Sequence, residues 1–277
     1  MRYRLTAGAC LAAAMLAGAP LAAQAQNRPD RIMGHPNLNG IWHTVNTAYW
    51  NLEAHSAMAL DQIWQLGALG AMPAGLGVVR EGEIPYLSAA LEKRDQNRAG
   101  WPAADPVTKC YMPGIPRAMY QPFPFQIFQG NDPDLLMVYS FATSNRTIHV
   151  KDQMEPPVDT WMGRSNGHWE GDTLVIDTHG FNGKTWLDRS GNYYSGDARV
   201  TERLDLVDSS HIRYQATIED PSVYSKPWTI VMTLYRDTDP DALLLEYKCV
   251  PFADKLLYQD LLSSSGDDST SDGGNQQ

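Results

Sequence analysis

From Leu135 to Val250, apolar and polar residues alternate in short runs that turn-forming residues interrupt. The runs are "LLMVYSFA", "RTIHVKD", "TWMGRSNGHW", "DTLVIDT", "ARVTERLDLVD", "HIRYQATIED", "WTIVMTLYRD" and "ALLLEYKCV". Period-two alternation bounded by Asp, Gly, Asn, Ser and Pro predicts strands with one buried face. Their short connections predict antiparallel neighbours. With "GIWHTV" near residue 40 as a ninth strand, the pattern predicts an all-β antiparallel meander closing into a barrel.

Other stretches have a different texture. In "EAHSAMALDQIWQLGALG", Ala59, Ile63 and Leu66 fall at i, i+4 and i+7, the spacing of one helix face. "SAALEKRDQNRAGW" predicts a short helix with Ser88 as N-cap and Gly100 near its end. Residues 52–101 therefore read as a small helical insertion, too short to own a core. "CYMPGIPRAMYQPFPFQIFQ" carries four prolines, which predict an irregular path until "FQIFQ" joins a sheet edge. Residues 263–277 lack apolar content and read as a disordered tail.

The N-terminus reads as a secretory signal peptide over residues 1–25. Arg2 and Arg4 precede an apolar run that ends at Ala23-Gln24-Ala25, a small-x-small cleavage site. Residues 26–262 then form one domain, expected in the periplasm or outside the cell. No later apolar run approaches the roughly 20 residues of a membrane span. Loss of Arg2 and Arg4 moves the formal charge from -10 to -12. An acidic chain without a basic cluster argues against nucleic acid as a partner. Two cysteines remain, Cys110 and Cys249, and an even count in an oxidising compartment predicts one disulfide.

Two resemblances follow from particular motifs. "NGIWHT" holds Gly40-x-Trp42 on the first strand and Arg236 lies on a late one, which resembles the calycin barrels, lipocalins included. In those barrels such a Trp and Arg pack across the closed end. "GLGVVREGEIPY", "KCYMPGIPRAMYQPFPFQI", "PVDTWMGRSNGHWEGDTLVIDTHGFNGKTWLDRSGN" and "IEDPSVYSKPW" resemble a large family of secreted bacterial proteins with a W-E-G-D-T-L-V-x-D motif. That resemblance implies a shared fold and export, and it carries over no catalytic residue.

Candidate chemistry gathers after the motif. Gly171 suits a hairpin turn and Asp172 can bond turn amides, so Trp169 to Asp172 reads as a turn. Along "DTLVIDTH", Leu174, Ile176 and Thr178 share one face, while Val175, Asp177 and His179 share the other. Asp177 and His179 are then about 7 Å apart at a strand end, as an acid–base pair, as two metal ligands or on a solvated face. His149 shares a face with Thr147 and Lys151 and becomes an auxiliary only if it meets His179. The loop "GFNGKTWLDRSGNYYSGD" is longer than a hairpin needs. Its Trp186, Asp188, Arg189, Tyr193 and Tyr194 could cover a pocket or cap the barrel end. Arg117 and Tyr120 could bind an anionic group or tie irregular backbone.

No G-x-S-x-G elbow, H-E-x-x-H or EF-hand loop is present, so no motif calls for a metal or cofactor. Two function classes stay open. One is a cofactor-free enzyme (lyase, isomerase or hydrolase) acting on a small hydrophobic or aromatic molecule. Asp177, His179 and His149 would be its catalytic residues, and Trp186, Asp188, Arg117 and Tyr120 would hold substrate. The other is a lipocalin-like carrier of a small apolar ligand.

Overall fold

The computed structural model describes residues 30–60, 71–251 and 253. The expected signal peptide at 1–25, Ile63, Leu66 and the expected tail at 263–277 lie outside these residues. The strands are β1 (Arg31–Ile32), β2 (His35–Pro36), β3 (Gly40–Thr44), β4 (Met58–Ala59), β5 (Ala71–Met72), β6 (Phe125–Phe128) and β7 (Leu135–Tyr139). They continue as β8 (Asn145–His149), β9 (Arg164–Glu170), β10 (Thr173–His179), β11 (Arg199–Asp208), β12 (His211–Glu219) and β13 (Trp228–Arg236). Among the described residues, one α-helix, α1 (Ser88–Gly100), and two 3-10 turns, Pro106–Lys109 and Arg117–Tyr120, lie between these strands.

Nine strands close an all-β barrel in the order β3-β6-β7-β8-β9-β10-β11-β12-β13, with β13 returning to β3. Strand directions cannot alternate all the way around an odd ring, so one junction must be parallel. That junction is β8–β9, paired at Ile148↔Ser165 and His149↔Asn166. Residues 150–163 supply the long crossover that a parallel pair requires. The purely antiparallel meander is corrected at this one place.

Two strands exchange roles relative to the sequence pattern. "FQIF" is β6, paired on both sides within the closed ring rather than at a sheet edge. "ALLLEYKCV" forms no strand. It is an exposed strap with Leu243 and Leu245 in solvent, bridged at Phe141↔Tyr247. Backbone and side-chain bonds from Ser140 and Ala142 hold it at Leu245 and Tyr247.

Inward positions follow the period of two. Leu174, Ile176 and Thr178 of β10 are buried, as are Val200, Glu202 and Leu204 of β11 and Ile212, Tyr214, Ala216 and Ile218 of β12. Barrels of about this size are filled by their own side chains or hold one small ligand, and here buried side chains such as Tyr214, Phe125 and Leu204 occupy the interior. At one end the Arg236 guanidinium lies 4.4 Å from the Trp42 ring centre, and Trp42 donates to the Leu38 carbonyl at 2.9 Å. The Trp–Arg packing expected from the barrel resemblance is therefore present in geometry.

The insertion differs in detail from the expectation. Ala59 belongs to β4, which pairs with β5, and not to a helix. Helix α1 is capped by the Leu87 position without a side-chain bond, so Ser88 is its first turn and not its cap. Gly191 explains how closely α1 docks. Its φ is +85°, and a Cβ there would meet the Arg94 carbonyl oxygen and the Arg98 nitrogen at 2.6 Å each. Only glycine lets this backbone approach the helix.

The Cys110–Cys249 disulfide is present, with Cα atoms 5.6 Å apart and a separation of 139 residues. Chain entropy gives such a loop a ceiling of about 5 kcal/mol. Reduction is expected to cost less than that, because the reduced strap can leave the barrel and regain entropy in the folded state. Urea midpoints of the oxidised and the reduced, alkylated protein check this. Equal midpoints would mean that the folded, reduced chain regains as much entropy as the unfolded one.

Candidate functional site

The turn at the motif takes the form the sequence suggested. Glu170 pairs with Thr173, leaving Gly171 and Asp172 as a two-residue loop, with φ of +62° at Gly171. Positive φ at the first central residue suits a type II′ hairpin. Asp172 does not bond the turn amides. It accepts from Arg31 instead, at 3.1 Å from Nη1.

The proposed acid–base residues lie on the outside of the barrel and have separate partners. Asp177 is exposed and accepts from the Thr201 hydroxyl at 2.7 Å. His179 Nε2 lies 2.8 Å from Glu155, whose side chain is 85% exposed on the crossover. His149 Nδ1 lies 3.7 Å from Asp134. Across the sheet, Asn166 sits between His149 and Asp177 in register. Alternation placed Asp177 and His179 on one face correctly, but that face looks outward. The acid–base reading loses its shared pocket.

The expected substrate-holding residues are buried and engaged by the fold itself. Arg117 donates to both carboxylate oxygens of Asp105, at 2.8 and 2.7 Å, as a bidentate ion pair. Tyr120 donates to the Leu187 carbonyl at 3.0 Å, and burial pushes its phenol well up. Trp186 is bridged to Tyr193 inside the same loop. Asp188 has no exposed surface and accepts four bonds. Its Oδ1 takes the N–H groups of Ser190 at 2.9 Å and Asn192 at 3.2 Å. Its Oδ2 takes the Leu52 N–H at 2.9 Å and Asn192 Nδ2 at 2.6 Å. Burial pushes this carboxyl up to about 6, against the opposing donors of Asn192 and Leu52 and the charge of Arg117.

The barrel interior also holds an ion pair, Arg146 with Glu202, whose side chains are 2% and 0% exposed. Arg146 also donates to Ser165 at 2.7 Å and Thr178 at 2.8 Å, and Tyr214 donates to Glu202 at 2.8 Å. This network is closed on itself and serves the core.

Residues 185–194 are buried throughout except Arg189, which is half-buried and emerges from the loop. Its guanidinium lies 4.2 Å from the Trp50 ring centre, 5.2 Å from Tyr49 and 5.8 Å from Trp101. Bonds from Arg189 N–H to the Tyr49 carbonyl and from Ser190 Oγ to the Trp50 carbonyl fasten the loop to this aromatic group. Beside it opens a cleft of about 540 Å³, lined by Trp50, Met58, Met72, Arg98, Trp101 and Arg189 among others. Helix α1 supplies Arg98, β4 and β5 supply the methionines, and the Asp188 loop supplies Arg189.

Of the candidate site residues read from the sequence, Arg189 lines this cleft among the described residues. Trp50 was missed because it lies in irregular chain before the insertion, and Arg98 and Trp101 because the exposed last turn and C-cap of α1 carry no sign of what they face. Arg146 and Glu202 carried a readable signal, since each sits in phase with the apolar residues of its strand. Among the described residues no helix is long and apolar enough to cross a membrane. Comparisons with family models, with curated proteins and with solved structures found no match.

Proposed function

We propose that this chain is an exported binding protein for a small hydrophobic or aromatic molecule, which it takes up in the Trp50–Trp101 cleft. The supporting observation is the cleft itself. It has a size within the usual range for small-molecule sites, with apolar walls of Trp and Met beside charged and polar groups. The carrier idea thus moves from the barrel interior, which side chains fill, to the junction of barrel, insertion and loop. Outward-facing Asp177, His179 and His149 have no part in this reading.

A neutral fluorescent probe, N-phenyl-1-naphthylamine, tests it. Saturable binding in the micromolar range is expected, with quenching of tryptophan emission. Trp101→Ala removes one aromatic wall, and affinity should fall about tenfold or more. Equal binding by wild type and Trp101→Ala would overturn the assignment of the site.

A further inference from the structure

The parallel junction leaves a notch in the barrel wall. β8 and β9 pair only at Ile148↔Ser165 and His149↔Asn166. Just before β9, Gly163 has a φ of +66°, and a Cβ there would meet the His179 carbonyl oxygen at 2.8 Å. The chain thus enters β9 pressed against the end of β10, which only glycine permits, and Asn145 to Thr147 have no pairing with β9. The notch is a groove of about 260 Å³, walled by β8, the start of β9 and the crossover.

One step back from Ile148↔Ser165 in the parallel register, Thr147 and Arg164 stand side by side on the outer face. Arg164 donates from Nη2 to the Asp152 carbonyl at 2.8 Å and forms no ion pair among the described residues. Asn145 and Thr147 are exposed, and their side chains bond to no described residue. The carboxylates nearby are turned elsewhere. Asp134 takes the N–H groups of Val150 and Lys151, Glu155 faces His179, and Asp159 lies toward Gly180. Arg146 at the floor is matched by Glu202, and the described lining includes no carboxylate.

A guanidinium beside a hydroxyl and an amide suits a group rich in acceptor oxygens and singly charged. Pro157, Val158 and Met162 give the groove an apolar side as well. Inorganic phosphate would leave that side unused. We infer that this groove is a second ligand site, separate from the Trp50–Trp101 cleft, for a small aliphatic carboxylate. The carboxylate meets Arg164, Thr147 and Asn145, and the aliphatic body lies along Pro157 and Val158.

Backbone amide NMR with hexanoate and hexanamide tests this, since the two share a chain and differ in charge. Hexanoate is expected to shift the amides of residues 145–149 and 163–165, with a dissociation constant of roughly millimolar order, and hexanamide to bind about tenfold more weakly. Arg164→Gln should close that gap, and Arg164→Lys should restore part of it. Arg164 also ties down the crossover, so Thr147→Val provides a change at a side chain that the fold does not use. It should weaken hexanoate about threefold. Trp101→Ala should leave hexanoate binding unchanged, which separates this site from the cleft. Shifts confined to other residues, or no shifts at all, would overturn the site. Equal affinity for the two compounds would overturn the carboxylate assignment. A gap that persists in Arg164→Gln, or unchanged hexanoate affinity in Thr147→Val, would overturn the contacts given to those residues.

Discussion

Glu202→Gln is expected to lower the unfolding free energy by about 3–5 kcal/mol, because it leaves a buried guanidinium without its counter-charge. The oxygen of the new amide can still accept from Tyr214, so the loss falls on Arg146. Arg146 is held by Glu202 through both terminal nitrogens, and its other bonds go to the neutral hydroxyls of Ser165 and Thr178. Burial works against the cation, and Glu202 more than offsets it, holding the guanidinium above its ordinary value. Arg146→Met should be similarly costly, leaving the carboxylate inside the barrel uncompensated. Combining Arg146→Met with Glu202→Gln removes both charges. The double variant should therefore be more stable than either single one, as measured by urea unfolding at neutral pH. Additive losses would mean that the two residues do not act as a pair.

That pair also marks where the sequence stopped being informative. Alternation made the strands of the barrel legible, because a buried face imposes a period of two on every strand it crosses. The same alternation identifies the odd residues: Arg146 is in phase with Ile148, and Glu202 with Val200 and Leu204. It does not say that they meet. They sit on β8 and β11, three positions apart around the ring, and only closure brings them together. The strap "ALLLEYKCV" misled for the opposite reason. Its pattern suits a strand, but it is held by the Cys249 disulfide and a few bonds at Ser140 and Ala142, with Leu243 and Leu245 outward. Phase alone does not distinguish inside from outside. Asp177 and His179 share a face as alternation required, and only the partners Thr201 and Glu155 reveal that it is the outer one. The cleft was less legible still. Its residues come from a helix, two short strands and a loop, joined by tertiary contacts such as the helix docking at Gly191.

Asp188→Ala should cost about 3–4 kcal/mol and weaken probe binding in the cleft as well. The carboxylate accepts from three backbone N–H groups and from Asn192, and each donor left unpaired in a buried site costs about 1–3 kcal/mol. Removing a desolvated charge returns part of this, so the total stays below the sum. The effect on the cleft follows from geometry, since Asp188 ties Leu52 to the loop that carries Arg189 and Ser190. A pH series isolates the charge. The folded carboxyl titrates at about 6, raised from an ordinary value of 3.8, so the folded state binds a proton more tightly than the unfolded one. The stability from Asp188 protonation is therefore fully present below about pH 4 and lost as pH rises through 6. Over that window it amounts to roughly 3 kcal/mol, so the wild-type protein should gain stability as pH falls from neutrality toward 4.5. Asp134 acts in the opposite sense. Burial raises its carboxyl, but the N–H groups of Lys151 and Val150 outweigh that and hold it below the ordinary value, so its contribution is lost only at more acidic pH. Asp188→Asn cannot titrate and should flatten the slope between pH 5 and 7, whatever its absolute stability. An unchanged slope in that variant would assign the pH dependence to another group and leave Asp188 only its role as an acceptor.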